Sequence, residues 1–281
     1  MSDLLPAVTE AEATGETAAI YADIRQVYRV SVVNLVWRHL ATFPGALPWA
    51  WGTVRPLYID GTIRREAALV RAVSRVPDIV ALPPEVFAAT GLELGDLLRI
   101  RHVLDAYDRT NAMALIALSV VQQRLGHVTT ASDGDQTKAI SEALPALPEL
   151  QIQLPSLLRL DELAPSTAQL VLRLNRIGAA RPDPVLASMY RALAHWPGYL
   201  ALVWVLLAPL EASGALAAAI EGTLVQAQAK AAVIAARAPH RAVLAPELHP
   251  VVSQAIERFT TDAIARMVVI CGVLRHAGVG T

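Results

Sequence analysis

The 281-residue sequence predicts an all-α protein, and three observations lead to that fold class. Alanine and leucine dominate, while aromatic residues make up only 5%, a composition that favours helices over β-sandwiches. Apolar residues recur at intervals of three and four along most of the chain, as the helical period requires. The Asp-Gly pairs at residues 60–61 and 133–134 lack strand alternation on both sides, so neither predicts a hairpin.

Residues 1–125 are predicted to form an N-terminal helical repeat. Its clearest helical stripe covers residues 97–104, where apolar side chains recur at helical spacing between arginines. An earlier helix is predicted to end at the Phe-Pro-Gly corner of residues 43–45, because proline lacks the amide hydrogen of a continuing helix. Asp60 and Arg64 have the i,i+4 spacing that places two side chains on one face of a helix.

Residues 126–164 are predicted to be a connector between two halves of the chain. The segment contains a polar stretch at residues 132–135, then Pro145, Pro148 and Pro155, with one short helix expected near residues 139–144. So long a connector is uncommon in a compact chain, and such segments generally have a topological or functional role.

Residues 165–281 are predicted to form a C-terminal helical repeat. Its first helix follows Pro165, with Ser166 and Gln169 spaced as a capping box. Residues 191–204 repeat the pattern of residues 38–51 at an offset of 153: arginine, Leu-Ala, aromatic-Pro-Gly, leucine and tryptophan recur in register. Two such halves are expected to pack about a pseudo-twofold axis in one compact unit, with a ligand pocket between them.

Composition excludes several classes of function. The net charge of −1 argues against a nucleic-acid partner, because phosphate binding needs clustered excess cations. The single cysteine, Cys271, excludes a disulfide framework, a multi-thiolate zinc site and a CxxC motif. No two of the seven histidines are three or four residues apart, and no phosphate-binding glycine motif occurs. No metal and no cofactor are therefore expected.

The sequence gives no indication of export or of a membrane span. The N-terminus has neither the basic start nor the apolar run of a signal peptide. The longest apolar stretch, residues 199–220, is interrupted by Pro209, Glu211 and Gly214, whereas a spanning helix needs about 20 mostly apolar residues. A cytoplasmic location is expected.

Four segments together resemble one known family: residues 21–25 (Tyr-Ala-Asp-Ile-Arg), 40–45 (Leu-Ala-Thr-Phe-Pro-Gly), 103–111 (Val-Leu-Asp-Ala-Tyr-Asp-Arg-Thr-Asn) and 192–197 (Ala-Leu-Ala-His-Trp-Pro). They are similar to the group I, or DehI-type, 2-haloacid dehalogenases. The resemblance implies two related helical halves joined by a long loop, a knotted backbone and an active site between the halves. It also implies hydrolysis of short 2-halocarboxylic acids by an activated water, without a covalent ester or a cofactor.

The resemblance also assigns roles to particular residues. It places the family's asparagine on Asn111 and a serine on Ser188, whereas the essential aspartate falls on Met189, whose thioether cannot take a proton. A threonine and a glutamate that matter in part of the family fall on Asp60 and Arg64.

Compared with the family, the expected wall of the substrate pocket has aliphatic residues where the family has aromatic ones. An aromatic wall residue of the family falls on Val32, and a tyrosine near the substrate falls on Ile256. Leu35 is assigned to the same wall.

The residues themselves leave alternatives open. Asp60 and Arg64 could be a solvated ion pair, or they could face the cleft as a general base and a carboxylate clamp. Asn111 could cap a helix or line the pocket. Asp183, between two prolines, could replace the lost aspartate or simply occupy a turn.

Two hypotheses of function follow. The first is an enzyme that cleaves the carbon–halogen bond of a small 2-substituted carboxylic acid with activated water. The second is a divergent, non-dehalogenating homologue that binds or transforms an apolar small molecule in the pocket. The expected partner is accordingly a small carboxylic acid or an apolar ligand, and a homodimer is one option for the assembly.

Overall fold

The computed structural model describes residues 5–74, 79–126, 154–236 and 244–278. Within these ranges the regular secondary structure is helical and no strand occurs, which confirms the all-α prediction. The N-terminal part of the described chain has six α-helices: α1 (Gly15–Tyr28), α2 (Leu35–Leu40), α3 (Ala46–Ile59), α4 (Thr62–Val73), α5 (Pro84–Ala89) and α6 (Leu94–Gly126).

The C-terminal part of the described ranges also has six α-helices: α7 (Pro165–Leu174), α8 (Ser188–Leu193), α9 (Pro197–Ala212), α10 (Ala215–Ala235), α11 (His249–Arg258) and α12 (Ala265–His276). A π-helical turn, Phe259–Ile264, joins α11 to α12. Short 3₁₀ turns occupy Leu160–Glu162 and Pro246–Leu248.

Helix α6 is the central element of the fold. It packs against α4, α10 and α12, and residues 110–121 are all buried. A helix surrounded on every side by protein has no polar face to present to water, which explains the unbroken apolar run of residues 112–118.

Two local predictions are wrong. Asp60 and Arg64 do not share a helix, because α3 ends at Ile59 and Gly61 turns the chain into α4 with φ +78°, a conformation that glycine adopts most readily. The capping box at residues 166–169 is absent too: α7 begins at Pro165, and no side chain caps it.

The connector is described only at its C-terminal end. Residues 127–153, which include the predicted short helix at 139–144, lie outside the described residues. The described end is held against α8 by Arg191, whose Nε donates to the carbonyl oxygen of Leu158 at 2.7 Å and whose Nη2 donates to that of Leu157 at 3.2 Å.

A buried arginine fixes the loop that leads from α7 to α8. Arg266 on α12 is fully buried, and its guanidinium donates to the carbonyl oxygens of Asn175, Ile177 and Val185. Asp262 in the π-helical turn accepts the Val185 amide at 2.9 Å. The loop therefore enters α8 along a path set from the opposite side of the core.

Close packing between α5 and α9 leaves no room for a side chain at Gly198. A Cβ there would lie 2.6 Å from the carbonyl oxygen of Thr90, so Gly198→Ala must push the two helices apart. We expect the variant to lose about 1–3 kcal/mol of unfolding free energy in chemical denaturation. Gly222→Ala in α10 is the control: its Cβ would meet nothing within 4 Å, and it is expected to stabilise by about 0.5–1 kcal/mol. Equal effects of the two substitutions would contradict this account.

Across the described ranges, no single helix is long and apolar enough to cross a membrane. Helices α9 and α10 reach that length and composition only as a pair, bent by 83° at their junction.

Candidate functional site

A cavity of about 130 Å³ lies where α2, α6, α8 and the π-helical turn meet. This volume is comparable to that of an apolar cavity of about 150 Å³ that binds benzene, so it is of the size that a small organic molecule occupies. The described end of the connector contributes Leu154 and Leu157 to its wall. The loop held by Arg266 contributes Val185, Leu186 and Ala187.

The structure brings together five of the residues predicted for the site. Val32 and Leu35 line one side of the cavity, and Asn111, Ser188 and Met189 also line it. These residues come from segments on both sides of the connector, and they all line the same cavity. Their roles in a reaction remain predictions.

Three predicted residues lie elsewhere, and these assignments are corrected. Asp60 is exposed at the corner between α3 and α4, where its Oδ1 accepts the Thr62 amide at 2.8 Å. Arg64 is exposed on α4, and Ile256 is packed into the core on α11; neither lines the cavity. The Asp-Gly turn separates Asp60 from the helix that carries Arg64, so the proposed base and clamp do not form a unit.

Asn111 lies inside α6 and is not a helix cap. Its side chain is 7% exposed at the cavity wall, and its Nδ2 has no oxygen or nitrogen acceptor among the described residues. It lies beside the Cys271 thiol, which is a weak acceptor. A buried donor without a partner costs about 1–3 kcal/mol, and a bound acceptor would recover that energy.

Arg38 on α2 is a cavity residue that the sequence analysis did not single out. Its Nε is buried without a hydrogen-bond partner, and none of the ion pairs of the described chain includes it. A guanidinium presents its donors in a fixed fork that matches a carboxylate. The arginine at the equivalent position of the sequence pattern, Arg191, instead binds the carbonyl groups of the connector. Sequence alone does not distinguish the two.

Glu10 is the one carboxylic acid among the described residues that line the cavity. Its Oε1 accepts the Val33 amide at 2.9 Å, and its Oε2 accepts a hydrogen bond from Arg25. It belongs to the segment before α1, in no recognisable motif, so only the folded chain places it at the site.

Two weak acids at the site stay protonated: Tyr107, which lines the cavity, and Cys271, which contacts the lining residue Met189. Burial raises the pKa of Tyr107 well above its ordinary value, and a hydrogen bond with Ser188 offsets only part of that effect. Burial, together with the negative charge of Asp108, raises the pKa of the Cys271 thiol. The Cys271 sulfur lies 3.3 Å from the Met189 sulfur. Neither group is therefore a base or a thiolate nucleophile at neutral pH.

Asp183, the other candidate for a base, lines a neighbouring pocket of about 400 Å³ and not the cavity. Its carboxylate is largely exposed and pairs with Arg258 at 3.1 Å. The cavity and this pocket share Leu35, Val185 and Leu186, and Asp183 lies on the pocket side of these residues.

The described residues contain no cluster of three or more His, Cys, Asp or Glu side chains that could hold a metal ion.

Comparison with known proteins gives no match to a family model. Two curated proteins named "2-haloacid dehalogenase, configuration-inverting" are similar in sequence. The one from Alcaligenes xylosoxydans xylosoxydans is 29% identical over 208 residues, covering 70% of this chain and 66% of the relative. The one from Pseudomonas sp. (strain 113) is 28% identical over 203 residues, covering 71% and 65%. The chain thus matches slightly less than two thirds of the length of either relative.

Solved structures share the fold over almost the whole chain. A D-2-haloacid dehalogenase in complex with L-LA has a TM-score of 0.75 at 19% identity, covering 98% of this chain and 97% of the other. A mutant D-2-haloacid dehalogenase with D-2-CPA has a TM-score of 0.74 at 20% identity, with coverages of 98% and 96%.

Proposed function

We propose, on the premise that the chain belongs to the DehI-type family of configuration-inverting 2-haloacid dehalogenases, that it hydrolyses the carbon–halogen bond of a short 2-haloalkanoic acid. One observation carries the proposal: the cavity presents two hydrogen-bond donors without partners, at Arg38 and Asn111, beside a largely apolar wall. A 2-haloacid has a carboxylate, an electronegative leaving group and a small alkyl chain, and each finds its complement there.

Arg38 is the proposed anchor of the substrate carboxylate. Within the described chain Arg38 forms no ion pair with a carboxylate, and its buried Nε has no hydrogen-bond partner, so its charge is available to a ligand. Charge-assisted hydrogen bonds of this type are about twice as strong as neutral ones. A bound acid would be fixed at one end, with its C2 carbon inside the cavity.

Asn111 is proposed to stabilise the departing halide. As the carbon–halogen bond breaks, negative charge accumulates on the halogen, and a preorganised N–H aimed at that charge lowers the barrier. The apolar side chains of Val32, Leu35 and Met189 would enclose the alkyl group and exclude bulk water. The described lining residues include no cysteine, so direct displacement by water is favoured over a covalent intermediate on sulfur.

Halide release is the test of this function. Purified protein incubated with 2-chloropropanoate or bromoacetate is expected to release chloride or bromide and to yield the 2-hydroxy acid. Asn111→Leu, which keeps the volume but removes the donor, is expected to lower kcat about 100-fold. Asp60→Asn, outside the cavity, is the control and should match the wild type. A wild-type protein that releases no halide would refute the proposal.

The alternative, a homologue that binds an apolar molecule without hydrolysis, is favoured by one observation. The thioether of Met189 lines the cavity and contacts the buried Cys271 thiol, where the family resemblance expects an aspartate. A ligand that binds only the folded state raises the melting temperature, so thermal shifts with haloacids, fatty acids and terpenoids compare the hypotheses. A shift with apolar ligands alone would support the alternative.

We also propose that the fold is an internal duplication. Helices α2 and α8 begin and end 153 residues apart, which is the offset of the repeated sequence pattern. Gly61 and Gly214, which start α4 and α10 with φ values of +78° and +76°, have the same separation. The domain limits at residues 125 and 165, the knot, the cytoplasmic location and a homodimer remain predictions.

A further inference from the structure

We propose that Glu10 is the general base that accepts a proton from the attacking water, an inference that rests on the proposed function. Displacement by water needs a base within hydrogen-bond reach of that water. Among the described residues that line the cavity, Glu10 alone carries a carboxylate, and Asp60 and Asp183 lie outside it.

The carboxylate is held in place from two sides. The Val33 amide donates to Oε1 at 2.9 Å, and Arg25 of α1 donates to Oε2. A carboxylate has about four lone-pair positions, so these two bonds leave acceptor capacity for a water molecule. The two contacts come from different segments, and together they restrict the rotation of a long side chain. The base is therefore oriented before the substrate enters.

Glu10 lines the same cavity as Arg38, the proposed carboxylate anchor, and backbone contacts hold the two segments together. The Val8 amide, two residues before Glu10, donates to the carbonyl oxygen of Arg38 at 3.0 Å. The charges of Arg38 and Glu10 both act on the hydroxyl of Tyr21, whose pKa burial raises to about 12. Arg25 pairs with Glu10 and Arg38 lines the same cavity, and these two positive charges offset the repulsion between Glu10 and an incoming anion.

The proposed step balances atoms and charge. The water oxygen forms a bond to C2 as the carbon–halogen bond breaks, and the bonding electron pair leaves with the halide. The proton released by the water passes to Glu10, and the other product is a 2-hydroxy acid. The Glu10 side chain is 30% exposed, which gives the proton a route to solvent before the next turnover.

The experiment compares three variants that remove one member of an ion pair. Glu10→Gln keeps the shape and an acceptor for Val33 but cannot accept the proton. We expect its kcat to fall at least 100-fold, with KM within about threefold because Arg38 is intact. Arg25→Met breaks the same ion pair but keeps the carboxylate, and it should retain at least about a tenth of the wild-type kcat. Asp183→Asn makes the same acid-to-amide change outside the cavity and should retain full activity.

The outcomes separate this inference from the proposed function. If the wild type releases halide and Glu10→Gln keeps more than a tenth of kcat, Glu10 is not the base and the function stands. If Arg25→Met falls as far as Glu10→Gln, the ion pair matters for structure and the inference fails. If the wild type releases no halide, both proposals fall. Thermal melting of each variant shows whether lost activity accompanies unfolding.

Discussion

Arg38→Met is expected to reduce kcat/KM for 2-haloacids by about two to three orders of magnitude, mainly through KM. Removing one partner of a desolvated, hydrogen-bonded charge pair costs about 2–5 kcal/mol, because the other charge stays buried without compensation. In the Arg38→Met variant the uncompensated charge would be the substrate carboxylate, which would lie against a cavity wall formed largely by valine, leucine and methionine side chains. Binding of the acid weakens accordingly.

Steady-state halide release at increasing substrate concentration measures this effect. Arg64→Met is the matched control, because Arg64 is an exposed arginine that does not line the cavity. Arg38→Lys keeps the charge without the fork and should fall between the wild type and Arg38→Met. The anchor assignment fails if Arg38→Met leaves KM within threefold of the wild type, or if Arg64→Met is equally impaired.

Arg266→Leu is expected to lower the unfolding free energy by about 3–5 kcal/mol, the cost of breaking a buried charged network. The substitution leaves the carbonyl groups of Asn175, Ile177 and Val185 without this donor. It also removes a positive charge that interacts with Asp262, which is 1% exposed. A leucine cannot donate to any of these oxygen atoms.

Chemical denaturation measures this loss. Arg173→Leu, on the exposed side of α7, is the control and should change stability by no more than about 0.5 kcal/mol. A loss below about 1 kcal/mol for Arg266→Leu would show that water or neighbouring groups satisfy the freed carbonyls. Because Arg266 also fixes the loop that supplies Val185, Leu186 and Ala187 to the cavity, the folded fraction of the variant should bind substrate less tightly.

The all-α fold class could be predicted from the sequence because the helical spacing of apolar residues and the Ala- and Leu-rich composition extend over most of the chain. The apolar run of residues 112–118 marked a buried helix, and α6 is that helix. The failure at Asp60 and Arg64 has a local cause. Spacing suggested one helix, whereas Gly61 between them takes a positive φ and turns the chain. Asp-Gly is a typical turn sequence, so the residues themselves indicated that the helix would end here.

The site was only partly accessible, because its chemistry depends on contacts between distant segments. The family resemblance pointed to Asn111 and Ser188, which the cavity collects. Glu10 and Arg38 occur in no motif. They become site candidates only because the folded chain places a carboxylate and an arginine with a partnerless Nε at the same cavity wall. Neither residue spacing nor helix propensity predicts which arginine side chain will lack a hydrogen-bond partner in the folded protein.

The π-helical turn Phe259–Ile264 makes the cavity sensitive to chain length as well as to residue type. An ordinary helix advances about 100° per residue, so the loss of one residue from the wide turn would rotate α11 relative to α12 by about that angle. Phe259 would then leave the wall while Met267 kept its place. A single insertion or deletion in this turn would thus reshape the cavity without exchanging any other side chain that lines it.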